Sequence, residues 1–179
     1  MMSSFGKNRV TTQQTNDYAT VEDFRRTFTE GMDELYQLSF LLTADHDKAE
    51  QCFVAGLEES VTSGRVFKEW ARSWARRAII QNAIRELKPR PPVASKSSSL
   101  ALHSIGELPR GNQHFKLDWV FGLADFDRFV FVITVLEHYP DHDCALLLGC
   151  SPRQVGEARV RGFEHLTDPL LMVAEVSQQ

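Results

Sequence analysis

The sequence has little that would suit an oxidising compartment or a membrane. Its three cysteines, Cys52, Cys144 and Cys150, are an odd number and their spacings fit no disulfide framework. The longest apolar runs, such as FVFVITVL at 129–136, are far too short to span a bilayer. The N-terminal residues show no secretory signal pattern. We therefore expect a soluble, cytoplasmic protein with no membrane association.

The sequence also lacks the patterns that mark β-sheets and most enzymes. No stretch sustains the alternation of apolar and polar residues that strands require, so no sheet is expected. A glycine-rich phosphate loop and a nucleophile elbow are both missing. Acidic pairs such as Asp33/Glu34 are most simply interpreted as solvated helix faces. We expect neither catalytic activity nor a cofactor.

One group of potential metal ligands lies in the C-terminal third: His138, His142, Cys144 and Cys150. Structural zinc sites use paired ligands at short spacing, such as Cys-x2-Cys, and this group contains no such pair. The two cysteines are better interpreted as small apolar residues of a core. The sequence therefore predicts no metal site.

Charge is distributed very unevenly along the chain. The protein has 179 residues, 42% of them hydrophobic, which is enough for one ordinary core or two small ones. Its net charge is -4, yet residues 17–59 contain eleven acidic and three basic side chains, whereas residues 65–90 contain eight basic and two acidic ones. This distribution favours one surface for a polyanion and another for a different partner.

Helical periodicity covers most of the chain. Apolar residues spaced three and four apart predict a helix from Thr20 to Thr43, with Thr20 as its N-terminal cap. A second helix is predicted over 48–61, capped by Asp47, and a third over 67–85. In the C-terminal half, the strongest helical pattern lies at 125–139.

Proline and serine separate two helical regions. Pro89, Pro91 and Pro92 precede a run of serines at 95–99, a composition typical of linkers. We therefore predict an all-α fold of two small helical domains joined by a flexible linker. The predicted boundaries are a disordered tail at 1–17, a helical domain at 18–88, the linker at 89–116, a second helical domain at 117–170 and a tail at 171–179.

The stretch FKEWARSWARRAIIQNAIR, at 67–85, combines aromatic and basic residues. Phe67, Trp70, Trp74, Ala78 and Ile79 recur at helical spacing and predict one apolar face, so we expect both tryptophans in the core. The cationic side chains fall mostly on other faces, where they are suited to hold a phosphate backbone. The candidate nucleic-acid contacts on this helix are Arg72, Arg76, Arg77, Asn82 and Arg85.

The stretch DCALLLGCSPRQVGEARVRGF has the sequence pattern of a helix-turn-helix. Gly149 allows a positive φ between two helices, Ser151 can cap the second helix, and Pro152 suits its first position. Val155 is expected to point into the corner between the helices. On the exposed side, the residues placed to reach a major groove are Arg153, Gln154, Glu157 and Arg159, with Arg161 nearer the backbone.

Taken together, these segments resemble the bacterial sigma factors of the extracytoplasmic-function group. The resemblance covers residues 20–166: LYQLSFLLTADHDKAEQCFVAGL is similar to the helix pair that binds the polymerase clamp. FKEWARSWARRAIIQNAIR is similar to the helix that engages and melts the −10 element. The segment from Ala124 to Leu166 is similar to the domain that recognises the −35 element. Their order and the Pro/Ser linker agree with that family.

The resemblance implies a function and a set of partners. The chain would act as a sigma factor that directs core RNA polymerase to promoter DNA and initiates transcription, with an anti-sigma factor as a further candidate partner. The arginines of 67–85 would contact the opened promoter, and the C-terminal helix-turn-helix would recognise the upstream element. The residues implied in polymerase binding are Glu50, Gln51, Glu58 and Glu59.

Two alternatives remain open at this stage. Val54, Ala55 and Gly56 stand where the family has polar residues on its polymerase-binding helix. A sigma-like scaffold that serves as a protein-interaction or regulatory module is therefore one alternative. A helix-turn-helix protein that binds DNA without polymerase is the other, and duplex binding by the chain alone would favour it.

Overall fold

The computed structural model describes residues 17–92 and 118–176, and side chains of the last helix up to Leu166. Every regular element in these ranges is helical, apart from an isolated bridge between Tyr18 and Phe67. The all-α prediction is confirmed for these residues. Residues 1–16 of the predicted tail (1–17) and residues 93–116 of the predicted linker (89–116) lie outside them. None of the helices described is both long and apolar enough to cross a bilayer.

The chain divides between Leu87 and Lys88 into two compact units, which are described separately. The first contains α1 (Val21–Glu30), α2 (Met32–Thr43), α3 (His46–Thr62) and α4 (Ala71–Leu87). Helix α4 packs against the other three helices, most extensively against α3. The core of this first unit is built from apolar side chains of all four helices, including Phe24, Phe28, Leu35, Leu38, Leu42, Ala49, Cys52, Ala75, Ile79 and Ile80.

The helix predicted from Thr20 to Thr43 is two helices. Its start is as predicted, since the Thr20 side chain accepts a hydrogen bond from the Asp23 N–H and the Asp23 carboxylate accepts one from the Thr20 N–H. Gly31 then separates α1 from α2, with its N–H bonded to the Thr27 carbonyl. A Cβ at Gly31 would lie 3.0 Å from that carbonyl oxygen, so the break favours glycine. The apolar spacing continues across this break and therefore conceals it.

Helix α3 begins two residues earlier than predicted, and Asp45 caps it instead of Asp47. Ala44 ends α2 in the left-handed conformation, with φ of 53°. Asp45 is therefore the first extended residue, and its carboxylate accepts the Lys48 N–H at 3.0 Å.

The predicted apolar face of α4 is wrong at its N-terminal end. Residues Lys68–Trp70 form a single 3-10 turn and the α-helix starts only at Ala71, so Phe67 and Trp70 lie outside it. Trp70 is 59% exposed, whereas Trp74 is half-buried as part of the packed interior. The buried face consists mainly of small residues, Ala71, Ala75, Ala78 and Ala83, together with Ile79 and Ile80.

The second unit contains a 3-10 turn at Asp118–Gly122, α5 (Asp125–Phe131), α6 (Asp141–Leu148) and α7 (Pro152–Val176). A π-helical turn, Val132–Leu136, continues α5. Helix α7 packs on α5 and α6, and it continues past 170, where the second domain was predicted to end. The buried side chains of this unit include Val120, Phe126, Phe129, Val130, Ile133, Cys144, Ala145, Val155 and Ala158.

Candidate nucleic-acid and partner interfaces

The N-terminal arginines of α4 share one carboxylate. Arg72 donates a hydrogen bond to the Glu34 carboxylate on α2, and Arg76 lies 3.5 Å from the same oxygen. The hydrogen bond from Arg72 is the main reason that the pKa of Glu34 is lowered from its ordinary value. Arg72 and Glu34 are both well exposed, so this pair is open to competition by other anions.

The C-terminal end of α4 is engaged by α3. Glu59 accepts a hydrogen bond from the Asn82 amide at 3.0 Å and another from Arg85. Glu59 was expected to bind polymerase, whereas Asn82 and Arg85 were expected to bind DNA. The structure brings these residues of two predicted surfaces into one cluster on one face of the unit. Arg77 lies between the two carboxylate clusters in sequence and is half-buried.

The outer face of α3 carries the other three residues expected at a polymerase interface. Glu50, Gln51 and Glu58 line a shallow, open depression together with Asp47, Val54 and Ala55. Val54 is 45% exposed near the middle of this face, with acidic residues on either side of it in the helix. An apolar centre with acidic flanks is suited to a basic, amphipathic partner surface.

Sequence reasoning missed an exposed aromatic group beside α4. The Tyr18 ring stacks on Phe67 with centroids 4.9 Å apart, and the Trp70 ring meets Phe67 edge-on at 5.5 Å. Backbone hydrogen bonds from Ala19 to Val66 and from Lys68 to Asp17 hold the Tyr18 segment in place. The helical spacing placed Phe67 and Trp70 in the core, and only the late start of α4 shows that they are exposed.

Helices α6 and α7 meet at a corner formed as the sequence predicts. Gly149 ends α6 with φ of 64°, and Pro152 opens α7. The Ser151 hydroxyl accepts the Gln154 N–H at 3.3 Å, and the Gln154 side-chain oxygen accepts the Ser151 N–H at 3.0 Å. This reciprocal cap fixes the first turn of α7. Val155 is completely buried in the corner.

The outward face of α7 is formed by residues that do not pack into the core of the second unit. The Arg153 side chain is 88% exposed and donates to Glu157 one turn later at 2.8 Å. Val160 is 55% exposed, although it is a large apolar residue. Gly156 is half-buried and lies one turn from both Arg153 and Val160. These residues lie on one exposed side of α7.

The two remaining arginines of α7 bind residues of their own unit. Arg159 donates to Asp141 at the start of α6. Arg161 makes two hydrogen bonds to the nearly buried Asp127 of α5, at 2.9 and 2.6 Å. The bond to Asp127 is the largest cause of a raised pKa at Arg161. Both were predicted as DNA contacts, and in the structure both attach α7 to its neighbours.

The histidines and cysteines around α6 do not converge. Among the described residues, no group of three or more His, Cys, Asp or Glu side chains has the arrangement of a metal site. Cys144 is fully buried, and this burial raises the pKa of its thiol to about 12. That thiol therefore stays protonated at neutral pH and packs as an apolar group.

Comparison with known proteins adds no relative: neither a family model nor a curated protein nor a solved structure matches the chain. The functional argument therefore depends on the residues and the geometry described above.

Proposed function

We propose that this chain is a sigma-type transcription initiation factor that binds core RNA polymerase and directs it to promoter DNA. The observation that carries the proposal is the corner of α6 and α7. It has a left-handed glycine, a reciprocally capped second helix and an outward face that presents Arg153, Gln154 and Glu157. In helix-turn-helix proteins, the N-terminal half of such a second helix enters the major groove.

The side chains at this corner suit base recognition. Arginine donates two hydrogen bonds to guanine, and glutamate accepts from cytosine. The Gln154 oxygen already accepts the Ser151 N–H, so its amide NH2 group is the part that can donate to a base. Arg153 and Glu157 are one helical turn apart on the exposed side, so both side chains face the same way. Arg159 and Arg161 hold α7 at a fixed angle to α6 and α5 and thereby orient the exposed residues.

The first unit supplies a second nucleic-acid contact through α4. Phosphate groups would replace the Glu34 carboxylate as partners of Arg72 and Arg76. Exposed ion pairs contribute only about 0.2 to 1 kcal/mol, so the exchange costs little. Each phosphate bound releases counterions from DNA, and binding at this face should weaken steeply with salt.

The outer face of α3 is the proposed polymerase-docking surface. It contains Glu50, Gln51 and Glu58 around the exposed Val54. The acidic flanks give orientation and a favourable encounter rate with a basic partner, and the apolar centre gives affinity. Catalysis would belong to polymerase, because the proposed role requires only binding and DNA opening.

Promoter opening by the reconstituted complex tests this proposal. The double variant Arg76→Glu/Arg77→Glu should abolish opening of a promoter selected with the wild-type chain, since two cations of α4 become anions. Core polymerase binding should remain measurable, because α3 is unchanged. Permanganate reactivity of unpaired thymines measures promoter opening, and circular dichroism checks that the variant is folded. Normal opening by the folded double variant would contradict the role given to this face.

One observation favours a different function. Glu34 pairs with Arg72 and Arg76 of α4, and Glu59 pairs with Arg85, while Val54 stays exposed. A regulatory module that binds another protein through α3, without DNA, would have these features. Failure to bind polymerase or duplex DNA, with the protein folded, would favour that reading.

A further inference from the structure

Gly156 is a glycine that the fold does not require. Inside helices, Gly56 and Gly162 are needed: a Cβ there would lie 2.8 Å from Ile79 and 2.8 Å from Phe131, respectively. A Cβ at Gly156 would meet nothing within 4 Å, and its φ is not in the left-handed region. Glycine in a helix interior is destabilising relative to alanine, so this position loses stability without any gain in packing within the chain.

The absence of a side chain at Gly156 leaves a notch on the outward face of α7. Arg153 precedes it by one turn and Val160 follows it by one turn, and both are well exposed. The notch thus has a cationic rim on one side and an apolar rim on the other. Its floor is backbone, which a partner can approach more closely here than at any residue with a Cβ.

We infer that the notch at Gly156 accepts the C5-methyl group of a thymine in the major groove, with Val160 as its apolar wall and Arg153 on a neighbouring base. This inference rests on the proposed DNA-binding function of α7. Thymine is the base that carries a methyl group in the major groove, and apolar contact is how proteins recognise it. A single missing side chain makes a space the size of a methyl group, which matches the C5-methyl of thymine.

The thymine methyl can be removed without changing base pairing, by substituting deoxyuridine. A duplex library with a randomised core is first selected with the full chain, alone at low salt and in the presence of host core polymerase. Each thymine of the recovered site is then replaced in turn. One position should lose about fourfold in affinity for the wild-type chain, the factor expected for burying one carbon group. The inference is overturned if no thymine position responds.

Gly156→Ala is the matching protein variant, and its two effects should have opposite signs. Its Tm should rise, because alanine favours the helix and meets no neighbour. Its affinity for the selected site should fall, and the difference between thymine and deoxyuridine at the responsive position should disappear. If the variant retains the full difference, the notch does not hold the methyl group and the inference is wrong.

Gly162→Ala is the control in the same helix. Its Cβ would collide with the Phe131 ring in the interior, so its Tm should fall. It lies away from the outward face, and the folded fraction should keep the thymine preference of the wild type. Loss of that preference in Gly162→Ala as well would assign the effect to helix packing and overturn the inference. Recovery of no DNA site in either selection would instead count against the proposed function itself.

Discussion

At the scale of single residues, carboxylates determine which cations are available. Glu34 binds Arg72 and lies near Arg76, while Glu59 binds Arg85 and Asn82. These carboxylates come from α2 and α3, far from α4 in the sequence. The arginine row was evident in the sequence, but its partners depend on how the helices pack, and no spacing rule predicts them.

Removing the negative charge of Glu34 should strengthen binding to DNA. In Glu34→Gln, Arg72 loses its anionic partner and DNA loses a repulsive charge. An exposed pair of this kind contributes about 0.2 to 1 kcal/mol, which corresponds to an affinity gain of up to about fivefold. The measurement is filter binding to a forked duplex across a salt series. Asp33→Asn, the exposed acid beside it, is the control; an equal gain in both variants would refute a specific competition.

Asp23 should make the first unit sensitive to acid. Hydrogen bonds from the Thr20 backbone and side chain lower the pKa of Asp23 from 3.8 to about 2. Because the pKa is lower in the folded state, the carboxylate contributes stability above pH 4, and this contribution is lost as the pH falls through about 2. Unfolding monitored by circular dichroism between pH 5 and pH 2 should show a smaller decline in Asp23→Asn. Equal slopes in both proteins would contradict this role.

At the scale of the helices, features set by the local sequence were predicted correctly, whereas features set by tertiary contacts were missed. The Thr20–Asp23 cap, the left-handed Gly149 and the Ser151 cap are local devices, and all are confirmed. The break at Gly31 interrupts no apolar pattern, so the sequence alone joined α1 and α2. Trp70 was predicted in the core because the helical spacing extends to residues before Ala71, where α4 begins.

The close contact of α3 with α4 should make Gly56 intolerant of a side chain. A Cβ at this position would lie 2.8 Å from Ile79 Cγ1 and 3.3 Å from the Ile79 backbone nitrogen. We expect Gly56→Ala to lower the free energy of unfolding by about 1 to 3 kcal/mol, the usual cost of overpacking. Denaturant titration gives this value. Gly64→Ala, where a Cβ meets nothing, should change it by less than about 0.5 kcal/mol. Similar losses in both would contradict a packing effect.

At the scale of the whole molecule, the uneven charge of the sequence corresponds to an acidic outer face on α3 and a row of arginines on α4. The acidic N-terminal helices do two things: Glu50 and Glu58 lie on the outer face of α3, and Glu34 and Glu59 pair with arginines of α4. Under the proposed function, DNA phosphates would displace these carboxylates, so that a net acidic chain could still bind DNA through cations. Composition alone predicted an acidic and a basic surface. It did not predict that carboxylates of α2 and α3 pair with arginines of α4.

The central claim is that the outer face of α3 binds core RNA polymerase. The most direct measurement is a pull-down of the purified full chain with core polymerase from its own host, at two salt concentrations. Binding should be detectable, and Glu50→Lys should weaken it severalfold, most at low salt, because it reverses a charge on an acidic flank of the face. Glu30→Lys, an exposed reversal at the end of α1, should bind like the wild type. No binding by the folded wild-type chain at low salt, or equal binding by Glu50→Lys, would contradict the claim.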